Sequence, residues 1–276
     1  MSEDRSAAED RSSREPSEDR SAAEDRSSRE PSEDRSAAED RGSMRRGIEI
    51  IPVVGIPEVR PGDVLTDLIT AGVTLLDGDV LVVTQKVVSK AEGRLVAIDP
   101  DDMAARRALV ERESVRVLRR RGDLIISETT HGFVCANAGV DFSNVEAGYA
   151  ALLPVDADRS ARRIRDGVRA RVGVEVGVIV SDTFGRAWRR GLTDVAIGCA
   201  GVAAVVDLRG TTDALGRVMQ VTEVAVADEL AAAAELVMGK ASGVPAAVVR
   251  GVDPTWLRES SVRTEVVRPA AEDLFR

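Results

Sequence analysis

The first 41 residues set the strongest limit on what this chain can fold into, because they offer nothing to bury. Residues 2–16 read SEDRSAAEDRSSREP, residues 17–31 repeat this unchanged, and residues 32–41 repeat its first ten residues. The repeat holds no aromatic and no branched apolar side chain. It cannot offset the entropy cost of ordering a chain, so residues 1–43 are expected to stay disordered rather than form a solenoid. The fold must come from residues 44–276. Met44, followed at once by a periodic apolar segment, is the expected functional start, and the repeat an appendage.

Charge divides the same way. Each full copy carries five acids and three arginines, and the partial copy four acids and two arginines, so each contributes −2 and the tail −6. Taken from the total of −9, that leaves the body near −3, which is no electrostatic footprint for nucleic acid. The sequence has no signal-peptide pattern and no run of eighteen apolar residues, so a cytoplasmic protein that neither spans nor binds a membrane is expected. Cys135 and Cys199 match no metal spacing and read as small core residues.

Apolar runs predict strands over residues 48–54, 79–84, 123–127, 132–136, 174–180, 202–208 and 246–250. Helices are predicted over residues 101–121, 156–172 and 223–238, the last with Thr222 as its N-cap. Neighbouring strands with helices grouped between them give an α+β or irregular mixed α/β fold. No G-x-G-x-x-G follows a strand, and MGKASG at 238–243 fails the Walker A pattern, since position 234 is alanine and Lys240 precedes Ala241.

Polar clusters stand where the apolar runs stop. In VVGIPEV (53–59), Gly55 and Pro57 could bring backbone amides close to a ligand, or simply turn the chain. In TQKVVSKAEGR (84–94), Gln85, Lys86, Ser89 and Lys90 suit a polyphosphate, or form a solvated face. In CANAGVDFSN (135–144), Asp141 and Asn144 are spaced to share one side of a helical turn and carry the oxygens that hard cations prefer, though both types also form turns. In VIVSDTFGRAWRRG (178–191), a strand is expected to end in Asp182 and Thr183 as paired oxygen ligands. Arg186, Arg189 and Arg190 follow as donors to carboxylate or phosphate, or as a solvated helix face. Two aspartates, several cations and no nucleophile suit phosphoryl transfer, and the lone His131 reads as structural.

Taken in order, GIPEV, TQKVVSKAEGR, HGFVCANAGVDFSN, VIVSDTFGRAWRRG and GKASGVP resemble the coenzyme F-420-0:L-glutamate (γ-glutamyl) ligase family over residues 48–251. The resemblance implies a GTP-dependent ligase that adds L-glutamate to the deazaflavin precursor coenzyme F-420-0 and then a further glutamate through its γ-carboxyl. It implies a mixed α/β fold peculiar to the family in an intertwined homodimer, with Mn²⁺ or Mg²⁺ and room for a K⁺ ion. Carried onto this chain, it puts the nucleotide near Gly55, Ile56, Pro57, Glu58, Gln85, Lys86, Lys90 and Asn144, and at Gly239, Lys240, Ala241, Ser242 and Gly243. It puts metal on Asp141, Asp182 and Thr183, with Asp141, Asp182 and Arg186 as catalytic residues. Many relatives have glutamine where this chain has Lys240; an ammonium cannot ligate metal, so Lys240 is expected to face phosphate instead. Some relatives add a flavin-binding reductase domain, but Arg276 lies 25 residues past Gly251, so neither that domain nor flavin is expected. The same residues would also serve a metal-dependent phosphohydrolase or a non-catalytic GTP-binding protein.

Overall fold

The computed structural model describes residues 47–274; the repeat expected to be disordered lies outside them. In chain order the elements are β1 (Glu49–Pro52), α1 (Leu65–Gly72), β2 (Val80–Thr84), α2 (Gln85–Ala91), β3 (Leu95–Ala97) and α3 (Met103–Arg112). Next come β4 (Ser114–Arg121), β5 (Leu124–Thr129), β6 (Val134–Ala136), β7 (Tyr149–Ala151), α4 (Ala157–Val172), β8 (Gly177–Gly185) and β9 (Leu192–Ala200). β10 (Val206–Asp207), β11 (Glu223–Val224), α5 (Val226–Met238), β12 (Ala246–Arg250) and α6 (Val262–Glu265) complete the order. This is the mixed α/β arrangement expected.

The main sheet has the order β1-β12-β2-β8-β9. Val80, Leu81, Val82 and Val83 are all fully buried, because β2 is covered on both faces. On one face Leu81, Val83, Val178, Val180 and Val248 pack with Ile69 of α1 and Ala161, Ile164 and Val168 of α4. On the other Val80, Val82, Ile179 and Val249 pack with Ala227, Leu230, Ala231, Ala234 and Met238 of α5. Alanines let α5 lie close, and Gly198 of β9 does the same for α4, since a Cβ there would run into the backbone of Ala157. A smaller core under α3, β5 and β7 holds Leu109, Val110, Ile125, Val140 and Leu152. Among the described residues, no helix is long and apolar enough to cross a membrane.

Four expectations need correction. The helix predicted over 101–121 stops at Arg112, and Ser114–Arg121 pairs with β5 as a strand. The Ser114 hydroxyl bonds Val110 O at 2.6 Å and the Ser127 hydroxyl of β5 at 2.8 Å, so the change of direction is fixed in part by the partner strand. The strand expected to end at Val180 continues to Gly185 as a hairpin with β9, a partner the sequence reading missed. Of residues 202–208 only Val206–Asp207 is strand, and it pairs with Glu223–Val224. That pairing takes the start of the predicted 223–238 helix, which begins at Val226 with Ala225, not Thr222, at its N-cap.

At the far edge of the sheet, Asp79 is buried and accepts Arg250 Nε and Nη2, both at 2.8 Å, together with Leu76 N–H at 2.8 Å. Asp79→Ala strands both donors and is expected to lower stability by about 2–4 kcal/mol. Urea denaturation measures it; an unchanged midpoint would show that the pair is idle.

Candidate functional site

β1 is antiparallel to β12, β12 is antiparallel to β2, and β2 is parallel to β8, so β1, β2 and β8 run in one direction. Their carboxyl ends share one edge of the sheet, the edge where open α/β sheets present ligand sites. The 239–245 loop arrives at the same edge: Thr84 N–H donates to Pro245 O, and Val53 N–H to Ala246 O, both at 2.9 Å. Four of the sequence motifs are thereby neighbours, and the fifth reaches them through side chains.

Lys86 Nζ lies 2.6 Å from Asp141 Oδ2, joining α2 to the loop after β6. Asp141 Oδ1 accepts both the backbone N–H and the hydroxyl of Ser143 at 2.7 Å. Burial raises the Asp141 pKa, but the bonds from Lys86 and Ser143 outweigh it and hold the carboxyl below its ordinary value. Lys90 pairs with Glu58 at 2.5 Å, and Asn144 Nδ2 donates to Lys240 O at 3.3 Å. The expected helical turn from 141 to 144 does not form. Asp141 bridges Ala151 in extended geometry, and Asn144 is left-handed, with φ 50°.

Alternation along β8 separates Asp182 from Thr183. Val178, Val180 and Asp182 share the face toward α4, where Asp182 feels Asp141, Lys86 and Cys135. Ser181 and Thr183 share the face toward α5, and both hydroxyls donate to Asp194 of β9, at 3.2 and 2.7 Å. Thr183 and Asp194 are direct cross-strand partners.

The model of the family described as F420-0:Gamma-glutamyl ligase matches residues 54–251. The chain belongs to this family. Among its relatives, the coenzyme F420:L-glutamate ligase of Methanothermobacter thermautotrophicus is 45% identical over 250 residues, covering 83% of this chain and 99% of that protein. Those of Methanopyrus kandleri and Archaeoglobus fulgidus are 44% and 42% identical over 246 and 245 residues, covering 83% of this chain and 98% and 96% of theirs.

Against the sites expected of the ligase family, the structure brings Lys86, Asp141 and Asp182 together and joins Asn144 to Lys240. It sends Thr183 to the opposite face of β8. Lys240 does not face Asp141: its side chain is about half exposed, and its Nζ contacts Thr183 Oγ1 and lies 2.8 Å from both Asp194 Oδ1 and Glu235 Oε1. Asp194, only 2% exposed, was missed, although a lone acid in the apolar run LTDVAIGCA was a legible signal. Gln85 is buried, its Nε2 donating to Ser89 Oγ at 2.7 Å and Leu152 O at 3.0 Å, so its side chain braces the site rather than facing it. Gly55 takes φ 81° at an exposed turn with Pro57 and Glu58, while Ile56 packs on the core. Gly239 and Gly243 take φ 60° and 70° around Lys240, Ala241 and Ser242, whose hydroxyl donates to Met238 O. Arg186 Nη2 donates to Arg190 O at 2.7 Å in an exposed hairpin turn, not on a helix. His131 Nε2 meets Pro154 O at 2.9 Å, and its buried Nδ1 has no partner, a structural setting. Both cysteines are buried thiols pushed up to about 12 by burial.

Among the described residues, no group of three His, Cys, Asp or Glu side chains forms a metal cage. Asp141 and Asp182 nonetheless fit a hard divalent ion that shares its shell with substrate phosphates, which needs only one or two carboxylates. The Asp182 carboxyl is strongly perturbed. Burial, helped by Asp141 and Asp194 and opposed by Thr183 N–H and Lys86, pushes its pKa up to about 7.

A carboxyl whose pKa is raised on folding stabilises the fold below its ordinary pKa, and that stability is lost as pH rises through about 7. Without metal, Asp182→Asn is therefore expected to be more stable than the native chain at pH 8, by roughly 1–3 kcal/mol, and no more stable at pH 4. Urea melts in EDTA at both pH values measure it; parallel pH dependence of the two proteins would contradict the assignment.

Proposed function

We propose that this chain joins L-glutamate to coenzyme F420-0 by an amide bond, then adds a further glutamate through its γ-carboxyl, with GTP as the energy source. Membership of the family supports glutamate ligation. The observation that carries the site is the meeting of Lys86, Asp141 and Asp182 at the carboxyl edge of β2 and β8.

In the proposed reaction an acceptor carboxylate oxygen bonds to the γ-phosphorus of GTP as the bond to GDP breaks, leaving an acyl phosphate. The glutamate amine then attacks the acyl carbon, loses a proton and expels inorganic phosphate. Such chemistry depends on positioning and charge neutralisation more than on a nucleophilic side chain. Asp141 and Asp182 would hold a Mn²⁺ or Mg²⁺ ion, which when bound supplies neutralisation of phosphate charge. Lys86, which pairs with Asp141 at 2.6 Å, would be within reach of a phosphate oxygen at the same edge, and Lys90 leans on Glu58 beside it. The 239–243 turn, hydrogen-bonded to Asn144, closes the nucleotide region from the α5 side. Arg186, Arg189 and Arg190 stand further along the hairpin, where anionic acceptor or glutamate carboxylates would arrive.

The test is a mass spectrum of the deazaflavin acceptor after incubation with the chain, GTP and Mn²⁺, with and without L-glutamate. Glutamate-sized increments are expected only when glutamate is present. GDP and phosphate released equally in both tubes, with no increments, would replace ligation by phosphohydrolysis. Asp182→Asn is expected to lower the ligation rate at least about 100-fold while keeping the fold; near-native turnover would remove Asp182 from the mechanism.

The implied homodimer belongs to the same reading. Trp188, 91% exposed, and Leu192 sit at the β8–β9 hairpin, and Leu215, Val218 and Val221 are exposed between β10 and β11. Apolar surface of this kind suits a second copy of the chain. Light scattering is expected to give twice the chain mass, falling toward the monomer when Trp188 and Leu192 become Asp; a monomeric native chain would refute the dimer.

A further inference from the structure

Lys240 comes from an exposed turn, yet its ammonium ends among three oxygens: Thr183 Oγ1, Asp194 Oδ1 and Glu235 Oε1. A hydroxyl and two carboxylates around one positive centre is how proteins surround a bound cation. The cradle is built from elements distant in sequence. Asp194 is buried, and its other carboxylate oxygen takes the Ser181 hydroxyl. The Lys240 carbonyl is held by Asn144, and Gly239 turns the chain at φ 60° immediately before it. The Lys86–Asp141–Asp182 group lies on the opposite face of β8 from this cradle, so no single ion is shared by the side chains of Asp182 and Thr183.

We infer that the Lys240 ammonium is a tethered cation occupying the place expected for metal at Thr183, so that the chain takes up one divalent ion, at Asp141 and Asp182, and excludes a second. The inference rests on the metal-dependent reading above and concerns the number of ions and what limits it. Its chemistry is simple: Thr183 and Asp194 can face an ammonium or a divalent ion, but not both, because two positive centres a few ångström apart would repel while competing for the same buried Asp194 carboxylate. Lys240 then acts as a positioning residue, neutralising Asp194 and Glu235 and fixing the Thr183 hydroxyl. Replacing it with glutamine removes the charge and presents a neutral amide oxygen able to ligate.

The experiment is a Mn²⁺ titration of the full chain in the presence of GDP, counting bound ions by the loss of the free-ion paramagnetic resonance signal. It is run on the native protein and on Lys240→Gln. The expected result is one ion per native chain and a second in the variant. Two ions in the native chain would overturn the inference while leaving the metal-dependent reading standing, and a variant still binding one would show that Lys240 is not what excludes the second. No bound ion at all would sink the metal-dependent reading and the inference with it. Should the variant not fold, the native count alone decides between one ion and two.

Discussion

The parallel pairing of β2 with β8 is the constraint on which the rest of the molecule depends. Val80 to Thr84 stand beside Gly177 to Ser181, five residues in register, with helices on both faces excluding water from the ladder. Each fully buried Val or Leu there is worth about 1.5–3 kcal/mol over an exposed one. That burial leaves both strands free to end in polar residues at a common edge. α2 starts directly from Thr84, so Lys86 and Lys90 are delivered there by one helical stretch. β8 continues past its neighbour as a hairpin with β9, and the polar ends of two strands become the floor of a site.

Charge is distributed over that floor in pairs drawn from different segments: Lys86 with Asp141, Lys90 with Glu58, and Lys240 with Asp194 and Glu235. Each pair fixes one loop against an element distant in sequence, so the loops are ordered by the same groups that would meet a polyanionic substrate. The pairs sit outside the apolar cores, so the Lys86–Asp141 contact can change without disturbing the packing beneath it. Asp182 has no such cation in contact among the described residues, and burial pushes its carboxyl pKa up to about 7.

Much of this was legible in the sequence, for physical reasons that differ by element. The uniform apolar run of β2 admits no reading but a buried strand, and Asp156 with the spaced apolar positions of α4 marks a helix start that the Asp156 bond to Arg159 N–H realises. The five motifs were legible because site chemistry needs unusual residues side by side. The α3–β4 boundary was not: residues 101–121 are arginine-rich with weak periodicity in either sense, and a partner strand decides. Nor was the course of β8, because Asp182 and Thr183 look like the end of a strand until β9 is known to pair with them. Thr183 was grouped with Asp182 by adjacency, where the pleat separates them.

That separation has an evolutionary side. Consecutive residues of one strand serve two faces of the hairpin, so a change at position 240 reaches Thr183 and Asp194 by contact and Asp182 only through the charge on Asp194. The compartment around Asp182 keeps its own contacts. Such a strand lets a side chain on one face change while the pairing of Lys86 with Asp141 on the other is kept.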